Sequence, residues 1–146
     1  MKQYIAISAV GSDRVGLVHD LSKVIADCGA SISESRMTAL GAEFAVLMLV
    51  TGNWHAVARV ETELKRLAET AGIILQIRRT EQRPVHEDQV PYSVDVVCLD
   101  QTGIVAALSG FFSARGIDIS EMNTRSYPAP HTGARRMAPA ILPRSW

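Results

Sequence analysis

Residues Tyr4 to Val10, YIAISAV, have the composition of a β-strand, and Gly11, Ser12 and Asp13 then break the run. Between Val15 and Cys28 the apolar residues Leu17, Val18, Leu21, Val24, Ile25 and Cys28 recur at helical spacing along one face, and Gly29 supplies the stop. The next stretch, ASISESRMTAL, alternates Ile32, Glu34 and Arg36 against Ser33, Ser35 and Met37. Gly41 separates it from the strongly β-prone EFAVLMLVTG, so the two predict a hairpin. Helical spacing returns with Trp54, Val57, Val60, Leu64, Leu67 and Ala71, runs to Gly72, and gives way to a last strand, IILQIRR.

Taken together these elements read β-α-β-β-α-β over residues 4–79. That order predicts an α+β, ferredoxin-like unit in which two helices cover one face of a four-stranded antiparallel sheet. A polar, proline-closed segment, TEQRPVHEDQVP, reads as a linker, after which the pattern restarts. YSVDVVCLD is a strand, Thr102 to Arg115 a helix stopped by Gly116, and IDISEMNTRSY a second strand. The restart is visible residue by residue. DRVGLVHDLSKVIADCGASISES, from Asp13, and DQTGIVAALSGFFSARGIDISEM, 87 positions later, align without a gap and share nine of twenty-three residues, which argues for an internal duplication. The shared positions include Asp13/Asp100, Gly16/Gly103, Gly29/Gly116 and Glu34/Glu121. The expected organisation is therefore a complete unit over 1–80, a linker over 81–91, a second, incomplete unit over 92–130 and an irregular tail over 131–146.

Composition narrows the function. At 146 residues and 47% hydrophobic content the chain can bury a core. Fifteen basic residues balance fifteen acidic ones, so the positive field that drives phosphate binding is absent and no direct nucleic-acid contact is expected. Cys28 and Cys98 form no CxxC and read as reduced thiols, and no stretch reaches membrane length, which together predict a cytoplasmic protein. His19, His55, His86 and His131 share no metal-ligand spacing, and Ala106 replaces His19 in the second copy. SISES lacks a nucleophile elbow, and no glycine-rich turn carries the lysine of a phosphate loop. No enzyme, no metal site and no cofactor are expected. The segment FAVLMLV is apolar on both strand faces, so the sheet face without helices should also be covered, which predicts a homo-oligomer or pairing between units.

A strand ending in Asp-x-x-Gly, a helix ending in Gly, and a small or polar residue before Ile, all present twice, resemble ACT domains, which are small-molecule sensing modules often bound to amino acids. The likeness covers residues 3 to about 130 and is strongest at the two Asp-x-x-Gly turns. It implies an ACT domain followed by a second, incomplete ACT-like unit, with ligand contacts at Asp13, Arg14, Gly16 and Ser31 and, in the second copy, at Asp100, Gly103 and Asp118. A ligand carboxylate suits such a helix N-terminus, where Gly permits close approach; Asp13 and Asp100 would equally serve as plain N-caps with no ligand. Among tandem members of the family, the resemblance is to repressors acting on the glycine cleavage system. It implies a small amino acid, glycine among them, as ligand, and a LysR-type activator as protein partner in place of DNA. The same architecture fits a regulatory subunit or fragment of an amino-acid or folate enzyme.

The carboxyl end departs from the pattern. After Tyr127 a strand, a helix and a strand are still owed, yet Pro128, Pro130, Pro139 and Pro143 leave no long uninterrupted element. The Arg-, Pro- and Ala-rich ARRMAPAILPRSW reads as a frameshift or a truncation. The second copy is therefore expected to lack its third and fourth strands and to leave the strands Tyr92 to Leu99 and Ile117 to Tyr127 without neighbours.

Overall fold

The computed structural model of the chain describes residues 1–85, 87–99, 101–128, 135–137 and 140–142. It divides into two compact units, Met1–Gln82 and Arg83–Trp146.

In the first unit the order is β1 (Gln3–Ser12), α1 (Leu17–Asp27), β2 (Ser31–Leu40), β3 (Glu43–Gly52), α2 (Trp54–Ala71) and β4 (Ile74–Thr80). The strands form one sheet in the order β2-β3-β1-β4 with every pair antiparallel, the four-stranded antiparallel sheet that the β-α-β-β-α-β element order predicts. Alternation puts Ile5, Ile7 and Ala9 of β1 and Val46, Met48 and Val50 of β3 on the helix side, where all six are buried. Leu17, Leu21 and Ile25 of α1 and Ala56, Val57, Val60, Leu64 and Ala68 of α2 close over them. Asn53 caps α2, its side-chain oxygen accepting the Ala56 amide at 2.7 Å, and Gly72 ends that helix at φ 68°. Arg79 on β4 reaches Glu61 on α2 at 2.9 Å, an ion pair at the edge of the covered face.

Two details differ from the sequence reading. Trp54, counted with the apolar stripe of α2, is 70% exposed, because it stands at the first helical position, ahead of the buried turns. The alternation of β2 also breaks. A β-bulge falls between Ile32 and Glu34, so Ile32 pairs with Val50 but Glu34, not Ser33, pairs with Leu49. Ile32 thus shares the helix-facing side with Ser35 and Met37, while Glu34, Arg36 and Thr38 point to the open side. An inserted residue that shifts the period by one is invisible to a strict period-two reading.

The second unit carries β5 (Val94–Asp95), β6 (Cys98–Leu99), α3 (Ile104–Ala114), β7 (Glu121–Asn123), β8 (Ser126–Pro128), β9 (Arg135–Met137) and β10 (Ala140–Leu142). The expectation that its strands lack neighbours is corrected. β10 pairs with β5 and β7, and β9 with β6 and β8, in two three-stranded sheets. Nor is the region 131–146 irregular throughout, since β9 and β10 lie in it. Stretches of three residues fit between Pro128, Pro139 and Pro143 in the sequence, and short stretches suffice to pair with short partners. The long strands expected over Tyr92 to Leu99 and Ile117 to Tyr127 are each split into two pieces. No residue of α3 is buried; Leu108 and Phe112 are half-buried, and Phe111 lies edge-to-face against Phe112 under the Arg115 guanidinium, 3.5 Å from its ring centre.

If one covered sheet face supplies the stability of the first unit, Ile7→Ala should cost about 2–5 kcal/mol, whereas Leu40→Ala, at a 66% exposed site, should cost under about 1 kcal/mol. Urea denaturation of the two variants measures this, and equal costs would contradict the assignment of the core.

Candidate functional site

The β1–α1 connection reverses the chain in four residues, Asp13 to Gly16. A reversal this tight needs a backbone turn to the left, and Gly16, at φ 88° and ψ −5°, makes it. Gly16, not Asp13, is the helix N-cap, and no side chain caps α1, which corrects the capping role open to Asp13. The Asp13 amide donates to the Ala42 carbonyl at 3.3 Å, tying the turn to the β2–β3 hairpin, and the Asp13 side chain is left exposed. The Leu17 amide makes a long 3.5 Å contact to the Arg14 carbonyl, and the first full helical bond runs from Asp20 to Gly16 at 2.9 Å. The amides of Val18 and His19 are left without a partner among the described residues.

Arg14 belongs to the same turn. Its Nη2 donates to Asp20 Oδ2 at 3.0 Å, both side chains being about two-fifths exposed, and its remaining donors have no partner among the described residues. Asp20 stands in the first turn of α1, where an acid also suits the positive end of the helix. It was not singled out in the sequence, although an acid four residues after a turn glycine is the signal that could have found it. Oriented amides next to a guanidinium with spare donors are complementary to a carboxylate. A Cβ on Gly16 would meet nothing within 4 Å, so the glycine is required by conformation and not by crowding.

The second copy repeats this backbone. Gly103 caps α3 at φ 87° and ψ 3°, Ile104 contacts the Gln101 carbonyl at 3.4 Å, and Ala107 bonds Gly103 at 2.9 Å. The helix ends agree as well: the Gly29 and Gly116 amides bond Ala26 and Ser113 at 2.9 and 3.0 Å, and those of Ala30 and Ile117 bond Ile25 and Phe112 at 3.1 and 3.0 Å. The charges do not repeat. Gln101 and Ala107 stand where the first copy has Arg14 and Asp20, so the second turn offers no guanidinium. Asp100 lies outside the described residues.

Ser31 is not brought to this turn. It opens β2 after the far end of α1, in the row Ser31, Thr51, Tyr4, Thr80 at the start of β1, whereas Asp13 follows the end of β1. The eleven residues of α1, roughly 16 Å of helix, separate the two places. Opposite Ser31 the Thr51 hydroxyl is buried and has no hydrogen-bond partner among the described residues, a polar feature the sequence did not flag. In the second copy Asp118, the counterpart of Ser31, lines an open hollow of about 450 Å³ with Ser109, Ser113, Gly116, Ile117 and Ile119.

Among the described residues no three His, Cys, Asp or Glu side chains gather as a metal site, and no helix is long and apolar enough to cross a membrane. His86 and His131 lie outside the described residues. Cys28 is buried and Cys98 half-buried, and neither is in a disulfide. Lys23, hydrogen-bonded to Asp27 at 2.6 Å on the exposed side of α1, has its ammonium pKa raised by that bond and by the carboxylate's charge.

The sequence profile of the ACT domain matches residues 3–78. The chain is 29% identical over 136 residues to the glycine cleavage system transcriptional repressor of Escherichia coli, covering 93% of this chain and 72% of that one. A crystal structure provisionally assigned as a glycine cleavage system transcriptional repressor superposes with a TM-score of 0.74 at 27% identity, over 99% of this chain and 83% of that one. A protein of unknown function from Galdieria sulphuraria superposes with a TM-score of 0.77 at 31% identity, over 97% and 81%.

Because the turn rests on the left-handed glycine and not on a side-chain cap, Gly16→Ala should destabilise the chain by about 1–2 kcal/mol. Asp13→Ala should stay within about 0.5 kcal/mol of the parent. Thermal and urea melts of both variants decide the point; a large loss on Asp13→Ala would restore the acid as the cap.

Proposed function

The chain belongs to the ACT-domain family, and from that premise we propose that it is an amino-acid-sensing regulatory protein that modulates transcription of the glycine cleavage system through a protein partner. The relative that spans 93% of the chain is named as a transcriptional repressor. Its family is regulatory, and the chain is a regulatory protein, not an enzyme.

The observation that carries the ligand reading is the β1–α1 turn, which combines free amides of Val18 and His19 with an Arg14 guanidinium only partly engaged by Asp20. The carboxylate of a free amino acid is the anion we assign to it, with Arg14 and the Gly16 turn as principal contacts and Asp13 close to the ligand ammonium. A small ligand such as glycine satisfies both charges without requiring a side-chain pocket. Ser31, at the other end of α1, would reach the same ligand only from another copy of the unit. Residues 92–130 are read as a second, incomplete ACT-like unit after a linker over 81–91, supported by the matching glycine turns at both ends of α1 and α3. Its turn, without an arginine, is the weaker ligand site.

The balanced charge argues for a protein partner in preference to DNA. The partner proposed is a LysR-type activator whose contact with this chain changes when the amino acid binds. Titration calorimetry of the full chain against a panel of small amino acids tests the ligand. Saturable binding is expected, weakened roughly tenfold to a hundredfold by Arg14→Ala, the loss expected for a hydrogen bond to a charged group. No binding by any member of the panel, or wild-type affinity in the variant, would overturn the site. In a gel-shift assay at physiological salt the chain alone should show no sequence-specific DNA complex, and a tight specific shift would reject the protein-partner reading.

A further inference from the structure

The first unit holds a single tryptophan, Trp54, and leaves it 70% exposed at the start of α2. Its ring stands edge-to-face against His55, the centroids 6.0 Å apart. His55, Arg59, Thr62 and Arg66 follow at spacings of four, three and four residues, so they form one stripe on the side of α2 turned away from Val57, Val60 and Leu64. All four are exposed, as is Lys65 on the flank of the stripe. The charges here are unbalanced. Asn53 to Val60 contains no acid, and the first turn of α2 lacks the one that would suit its positive end. Glu61 is taken by Arg79 at 2.9 Å and Glu63 by Arg66 at 3.2 Å, whereas Arg59 and Lys65 have no ion-pair partner among the described residues.

We propose that this outer face of α2 docks an acidic segment of a protein partner, one that also brings an apolar residue to cover Trp54. The docking rests on the protein-partner reading above, to which it adds a surface and a chemistry. Folding accounts for neither Trp54 nor Arg59: the indole lies ahead of the buried turns, and the guanidinium pairs with nothing described. Tryptophan and arginine are side chains that carry much of the energy of an interface once a partner takes them out of water. An acid supplied from outside would complete the charge that α2 leaves open. Nucleic acid would meet the same bases, but Arg59 and Lys65 on a chain of zero net charge make a poor field for a phosphate backbone. The face uses neither Arg14 nor the α1 turn, so it stands whether or not an amino acid binds there.

Two probes test it on the full chain: a purified LysR-type activator, and a fluorescein-labelled synthetic helix with glutamates on one side and leucines on the other, each followed by fluorescence anisotropy. Both should bind the wild-type chain, and Trp54→Ala and Arg59→Glu should each weaken both complexes at least about tenfold. Circular dichroism melts of the two variants should match the parent, since both positions are exposed. Weakening of either complex by the variants upholds the face. If only the synthetic helix binds, the face is upheld and the activator is removed as its partner. Activator binding that keeps wild-type strength in both variants, with the synthetic helix equally indifferent, would overturn the face and leave the partner reading in place; a wild-type chain that binds neither probe would overturn both. Mixed-sequence duplex DNA that displaces the synthetic helix at equal concentration, or self-association lost in the same variants, would assign the face to nucleic acid or to a second copy and overturn the proposal.

Discussion

Apolar burial between one face of the β2-β3-β1-β4 sheet and the two helices α1 and α2 is the interaction on which the first unit depends. Ile5, Ile7, Val46 and Val50 from the sheet meet Leu21, Ile25, Val57, Val60 and Leu64 from the helices, each essentially withdrawn from water. Full burial of such side chains is worth about 1.5–3 kcal/mol apiece before conformational entropy is counted, so this single layer dominates the favourable side. It also fixes what is left over. A sheet covered on one side must present the other, and the helices that cover it must begin and end at the sheet's rims.

Those rims are where chemistry can occur. α1 can start immediately after β1 only because Gly16 adopts a left-handed conformation, and the same geometry at Gly103 shows that the duplicated segment repeats its backbone with different side chains. Without a capping side chain the first amides of α1 remain available, and Arg14, held by Asp20 of the first helical turn, adds a positive charge to the same connection. In the second copy the turn persists while the charge is gone. One fold thus carries two turns of unequal chemistry.

Much of this was legible in the sequence because it depends on local rules. Period-two and helical spacing located every element of the first unit, since each helix and strand there turns one face toward the core, fully buried in β1, β3, α1 and α2 and half-buried in β2 and β4. The duplicated glycines announced themselves by their 87-residue offset. What escaped depends on geometry that pattern does not encode. The bulge at Ser33 moved Glu34 and Arg36 to the open face; Trp54 lay on the right stripe but one turn too early; and Asp13 looked like a cap until the glycine took that position. In the second unit the strands were expected long and unpaired, whereas three-residue pieces between prolines supply their neighbours. Ser31 is close to Asp13 in the argument from resemblance but at the opposite rim of the sheet in space.

The central claim is that an amino acid's carboxylate docks on the first turn of α1. Amide nuclear magnetic resonance of the full chain, recorded during titration with glycine, tests it most directly because it reads each backbone N–H separately. Saturable shifts concentrated at Gly16, Leu17, Val18 and His19, with the Gly103 turn much less affected, are the predicted result. A well-dispersed spectrum in which these four amides do not move, or in which only residues remote from the turn respond, would contradict it.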